Sequence, residues 1–210
     1  VDDLPEGAYT IEPVDDDWAF DPESTDIFLT HDMSNVDFTG NRVHKFNLAP
    51  GLHMIALPLT PTVLDPDEAV PDGYTVGTDV KIARWDPQMA GATKWIAGPQ
   101  AAPVPFQYRL LPGRSFWMKN ETVDTIELGV VGDPVDTGIN FNLDVFGGWN
   151  MAGNMYEGLL PWQNLEIAAD GPVRDYGFIY RENTGDYQLV TDSNGLGTTD
   201  VIPENQGFWM

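Results

Sequence analysis

Short runs of alternating apolar and polar residues, each bounded by glycine or proline, fill most of this chain. Residues 42–48 alternate with period two, and 52–59 follow the Pro50-Gly51 turn. Residues 81–85 and 93–96 read as a hairpin around Asp86-Pro87 and Gly91. Residues 106–111 and 115–119 flank Pro112-Gly113, where proline presets φ and glycine permits a positive φ. The same period recurs over 125–131, 139–145, 149–155, 177–181, 187–191 and 207–210. Period two predicts strands with one buried face. No stretch keeps helical spacing for three turns without Pro or Gly, so the best helix candidate, 161–169, covers only two. The pattern predicts an all-β chain.

The strongest run is Gly147-Gly148-Trp149-Asn150-Met151-Ala152-Gly153-Asn154. A weaker copy stands upstream as Pro50-Gly51-Leu52-His53-Met54-Ile55-Ala56-Leu57-Pro58. Each is followed by an aromatic pair, Trp85 with Trp95 and Tyr180 with Tyr187. Each half then ends on a Phe-Trp-Met landmark, in Pro112-Gly113-Arg114-Ser115-Phe116-Trp117-Met118 and in Asn205-Gln206-Gly207-Phe208-Trp209-Met210. The repeated order predicts two tandem antiparallel β-domains, sandwich or barrel-like, related by internal duplication. Trp117 is expected over Trp209 and Trp85 over Tyr180. The expected divisions are an acidic N-terminal arm at 1–41, a first β-repeat domain at 42–121, and bridge strands with a second β-repeat domain at 122–210.

The positions Gly148, Trp149, Asn150, Gly153 and Asn154, then Gly207, Phe208 and Trp209, resemble a repeat of secreted and cell-surface bacterial proteins. The first half matches through Gly51, Pro58, Pro112, Gly113, Phe116 and Trp117. Leu52-His53 replaces the Trp-Asn pair, and Met155 stands where the pattern usually has proline. The resemblance implies side-by-side all-β modules and carries no catalytic residues.

Charge narrows the partners. The chain has 33 acidic and 10 basic residues, a net charge of -23, which argues against nucleic acid and anionic membrane surfaces. No apolar run approaches the length of a membrane span, and cysteine is absent. The chain begins at Val1, read as a processed end, so an extracellular or cell-surface location is expected. Residues 1–40 hold twelve acidic side chains and no Lys or Arg, yet apolar residues interleave them. Within that arm Ile27, Phe28 and Leu29 form a short apolar run able to add a strand to a neighbouring copy.

Candidate chemistry is sparse. His31, His44 and His53 lack metal or triad spacing, and no phosphate loop or nucleophile elbow is present. Carboxylates are too abundant for any pair to identify a glycosidase. Asp192, Asn194 and Asp200 surround a glycine-containing turn and offer oxygen ligands for Ca2+; a polar Asx turn is the alternative. The seven tryptophans could form a sugar-stacking face, but repeat equivalence favours core positions, with Trp149 and Trp209 expected buried. These features predict a non-enzymatic structural protein that assembles with copies of itself into a fibre or surface layer. A carbohydrate-binding module, with a polysaccharide partner, is the alternative.

Overall fold

The computed structural model describes residues 5–210 except 16, 31–35, 91–93, 102, 139, 167, 169–173, 193, 194, 196 and 197. The acidic segment holds β1 (Gly7–Ile11), β2 (Trp18–Asp21) and β3 (Thr25–Leu29). Next come β4 (Thr39–Leu48), β5 (Gly51–Ala56), β6 (Leu59–Pro61), β7 (Val80–Trp85), β8 (Trp95–Ala97), β9 (Ser115–Asn120) and β10 (Ile126–Pro134). The remainder holds β11 (Met151–Gly153), β12 (Leu160–Pro161), β13 (Gly177–Arg181), β14 (Asp186–Val190), β15 (Thr198–Thr199), β16 (Val201–Ile202) and β17 (Gly207–Trp209). Among the described residues three short 3-10 turns accompany them, at Pro66–Ala69, Phe106–Tyr108 and Trp162–Asn164. The chain is all-β, as its periodicity predicts.

The first half is a sandwich. Sheet β2-β4-β10-β6 faces sheet β5-β9-β7-β8 across a core that includes Leu48, Ile82, Phe116, Met118, Leu128 and Val130. Alternation along β7 and β9 gives the second sheet another apolar face, carrying Ala83, Trp85 and Trp117. That face packs on Met151, Tyr180 and Trp209 of sheet β11-β17-β13-β14-β15. The opposite face of this last sheet closes its own core, with Ile179, Val190 and Phe208 against Leu160, Trp162 and Ile202.

The two facing sheets share one strand order. In chain sequence the neighbours run first, fourth, second, third in both β5-β9-β7-β8 and β11-β17-β13-β14. The registers agree too. Met54 lies opposite Trp117 and Met151 opposite Trp209, while Trp85 pairs with Trp95 and Tyr180 with Tyr187. Gly51 and Gly148, each three residues before the matched Met54 and Met151, both have positive φ, 118° and 98°. Gly113 and Asn205 also correspond, at 71° and 58°. Contacts between the halves are reciprocal. Ile55 bridges to Gln206 and Ala152 to Arg114; Ala56 N donates to the Asn205 carbonyl at 3.0 Å and Gly153 N to that of Gly113 at 2.9 Å. Such reciprocity is the signature of an isologous, two-fold interface.

Several expectations need correction. The run 139–145 is not a strand among the described residues, although its Leu143 packs on the second core. An alternating pattern reports a buried face, and strand formation also needs a free edge to pair with. Residues 106–111 turn instead of extending, because Phe106–Tyr108 winds inward and sets the Tyr108 hydroxyl 2.8 Å from Asp67. The two-turn helix expected at 161–169 is a single 3-10 turn at Trp162–Asn164, after Pro161. The bridge strand β10 sits between β4 and β6, so it completes the first half rather than the second. In the acidic segment, β2 adds to β4 of its own chain, where Trp18 and Phe20 lie over Gly40. Ile27, Phe28 and Leu29 do form a strand, β3, and it pairs with β1 of the same chain.

An aromatic cleft between the halves

The Gly-Trp-Asn motif builds one wall of a cleft. Gly148 takes a positive φ, turning the chain so that Trp149 points outward and Asn150 inward. The Asn150 amide donates to the carbonyls of Phe146 at 2.8 Å and Gly148 at 2.9 Å, and its oxygen accepts from Phe146 N at 2.9 Å. Three bonds from one buried side chain fix the loop that presents Trp149. Farther on, Gly153 lies so close to Ala56 that an added Cβ would stand 2.1 Å from the Ala56 Cβ. Fully buried Asn154 donates to the carbonyls of Gly158, Ile202 and Pro203, tying the motif to the second core.

Strand pairing supplies the other rings. Trp85 and Trp95 meet edge to face across the β7–β8 ladder, with centroids 5.4 Å apart. Trp209 stands 6.1 Å from Trp85 and 6.2 Å from Trp95, again nearly perpendicular. The Trp85 indole donates to the Trp149 carbonyl at 3.0 Å, which locks the two halves together at this point. Trp85, Trp95, Trp149, Phe178, Tyr187 and Trp209 line an open cavity of about 350 Å³. Trp95 is 41% exposed, Trp149 48% and Tyr187 50%. The expectation that Trp149 and Trp209 are buried is therefore corrected. Trp149 is exposed and Trp209 half-buried, because the edge between two docked sheets leaves their flanking rings uncovered. Trp117 and Trp162 are buried, as expected of core positions.

A second, smaller cavity of about 60 Å³ adjoins the first and shares Trp85 with it. Its polar lining includes Arg84, Arg114, Asp86 and Asp144. Arg84 is 5% exposed, and its Nη1 donates to the Gln107 carbonyl. Burial, then the charge of Arg114, lowers its pKa to about 10, with Asp86 acting in the opposite sense. It remains a cation at neutral pH.

The calcium expectation finds Asp192 and Asp200 exposed, while Asn194 lies outside the described residues. Among the described residues no group of three or more His, Asp or Glu side chains is placed to hold a metal ion. His31 also lies outside the described residues. His44 bonds Asn205 at 2.8 Å across the halves.

Buried His53 sits between the halves in a way the sequence did not signal. Its Nε2 lies 2.7 Å from the Ala49 carbonyl and its Nδ1 2.7 Å from the Glu182 carboxylate. Burial disfavours the charged ring, but the bond and charge of Glu182, helped by Ala49, outweigh it and raise the pKa above its usual value. A raised folded-state pKa stabilises the fold fully below the unfolded value of about 6.5 and ceases to do so as pH rises through the folded value. The melting midpoint should therefore fall more steeply above pH 6.5 in the wild type than in Glu182→Gln. Parallel pH profiles of the two proteins would defeat this assignment.

Comparison with protein-family models, curated proteins and solved structures found no match for this chain, so the resemblance of its Gly-Trp-Asn motifs rests on those residues.

Proposed function

We propose that this protein is a non-catalytic binding module for polysaccharide, and that the aromatic cleft is its ligand site. One observation carries the reading: six rings from both halves converge on one open cavity, and three of them are strongly exposed. Exposed aromatic faces in a preformed cleft offer large apolar contact at little conformational cost. Pyranose rings present C–H faces that fit such surfaces. The shared strand order and reciprocal contacts support descent of the halves from one duplicated unit. The first half carries Leu52 at the position of Trp149, so the cleft has no copy on the other side of the interface.

The test is tryptophan fluorescence titrated with neutral oligosaccharides of several linkages. Trp95→Ala and Trp149→Ala should each weaken binding by about tenfold or more, the equivalent of about 1.4 kcal/mol. Both should lower the melting midpoint by much less than Trp117→Ala does, because these rings are already partly exposed. Saturable binding that survives both substitutions would place the ligand elsewhere.

Self-assembly through Ile27, Phe28 and Leu29 is a second reading. It is favoured by Phe28, 66% exposed on a strand that pairs along one edge only among the described residues. An extracellular or cell-surface setting suits both readings.

A further inference from the structure

We infer that the small cavity beside the cleft is an oxyanion subsite, in which Arg84 and Arg114 receive a carboxylate carried by the bound glycan. The inference rests on the cleft being the glycan site and names the class of glycan, one bearing uronic acid.

Two cations line this cavity, and neither guanidinium has spent its full bonding capacity. Arg84 is buried, yet its Nε has no hydrogen-bond partner among the described residues, and only Nη1 bonds, to Gln107. A buried guanidinium left so incomplete calls for an explanation. Arg114 stacks its guanidinium 5.5 Å over Phe106 and makes no side-chain hydrogen bond or ion pair among the described residues. The two cations are close enough for the charge of Arg114 to oppose that of Arg84. Asp86 and Asp144 line the same cavity and their charges act on the arginines, Asp86 on both and Asp144 on Arg114, but no ion pair among the described residues joins them. Asp86 instead accepts from Gln88 N at 2.9 Å. Planar guanidiniums bind carboxylates with matched geometry and resist deprotonation.

Size and position agree. A volume of about 60 Å³ has room for a few water molecules or one carboxylate, and is far smaller than the neighbouring cleft of about 350 Å³. Trp85 lines both cavities; Trp149 lines the larger and Asn150 and Met151 the smaller, so the subsite adjoins the cleft across this segment. The protein's negative field repels a polyanion at long range. That field is screened within roughly 8 Å at physiological salt, whereas the arginines act at contact.

The experiment compares an oligosaccharide ending in one uronic acid with its neutral parent, by fluorescence titration at physiological salt. The wild type should bind the acid about tenfold more tightly. Arg114→Gln should lose that preference and keep its affinity for the neutral sugar, and Arg114→Lys should recover part of it. Equal affinity for both sugars in the wild type would overturn the subsite and leave the cleft standing. If neither sugar binds, the glycan reading fails. The arm with sodium acetate against sodium chloride at equal ionic strength then decides the subsite alone. A melting midpoint raised by acetate in the wild type but not in Arg114→Gln supports a free-carboxylate site, and no difference overturns it.

Discussion

Gly153→Ala is expected to destabilise the protein by about 3 kcal/mol, the upper end for overpacking, and a second substitution 97 residues away is expected to reverse most of that loss. The new Cβ would stand 2.1 Å from the Ala56 Cβ and 3.3 Å from its Cα. Neither atom belongs to a flexible side chain, so the backbones of β5 and β11 must separate. Adding Ala56→Gly moves the methyl to the other side of the same contact. The double variant should recover all but the roughly 0.5–1 kcal/mol that a glycine costs within a strand. For a domain of this size 3 kcal/mol corresponds to about 6–12 °C in melting midpoint. A double-mutant cycle reads the coupling directly. Strict additivity of the two changes would mean that the halves do not meet there, and the two-fold arrangement would fall with it.

That contact also shows what the sequence could and could not reveal. Local signals place many strands: alternation locates β4, β7, β9, β13 and β14, and Pro-Gly turns mark the end of β4 and the start of β9. The matching of Trp117 with Trp209 and Trp85 with Tyr180 was visible as order along the chain, and their ladder positions agree with it. The face a ring presents was not visible. Trp149 and Trp162 look alike as apolar residues near glycine or proline, yet one is exposed and the other 2% exposed. The difference comes from docking of two sheets, a long-range event that no local window contains. The surroundings of the arginines and of His53 are set by the same long-range docking. Arg84 shares the inward-facing parity of Val80 and Ile82, and the turn at Phe106–Tyr108 closes over that end of the strand and supplies its carbonyl partner. His53 gains its partner from Glu182, well over a hundred residues away. Calcium ligation rests on residue types within one loop, where spacing alone does not fix the direction of any carboxylate.

Two tryptophans at corresponding ladder positions should behave in opposite ways, and this contrast joins the fold to the proposed function. Trp117 is 8% exposed, lies opposite Met54 and Ala83, and has its ring 4.9 Å from Tyr180. Its replacement by alanine removes a large buried ring and leaves a cavity between the halves, at a cost of about 3–5 kcal/mol. Trp209 holds the same place opposite Met151 and Phe178, but its ring is only partly buried and forms the floor between Trp85 and Trp95. Trp209→Ala should cost less, about 1–2 kcal/mol, since part of the ring already meets solvent. It should nevertheless abolish measurable glycan binding, because the rings on either side lose the surface that joins them. Trp117→Ala should retain binding at temperatures where it remains folded. Thermal melts and fluorescence titrations on the two variants separate these outcomes. Equal destabilisation with binding preserved in Trp209→Ala would make Trp209 an interface residue like its counterpart, and the cleft would then be a gap in packing rather than a site.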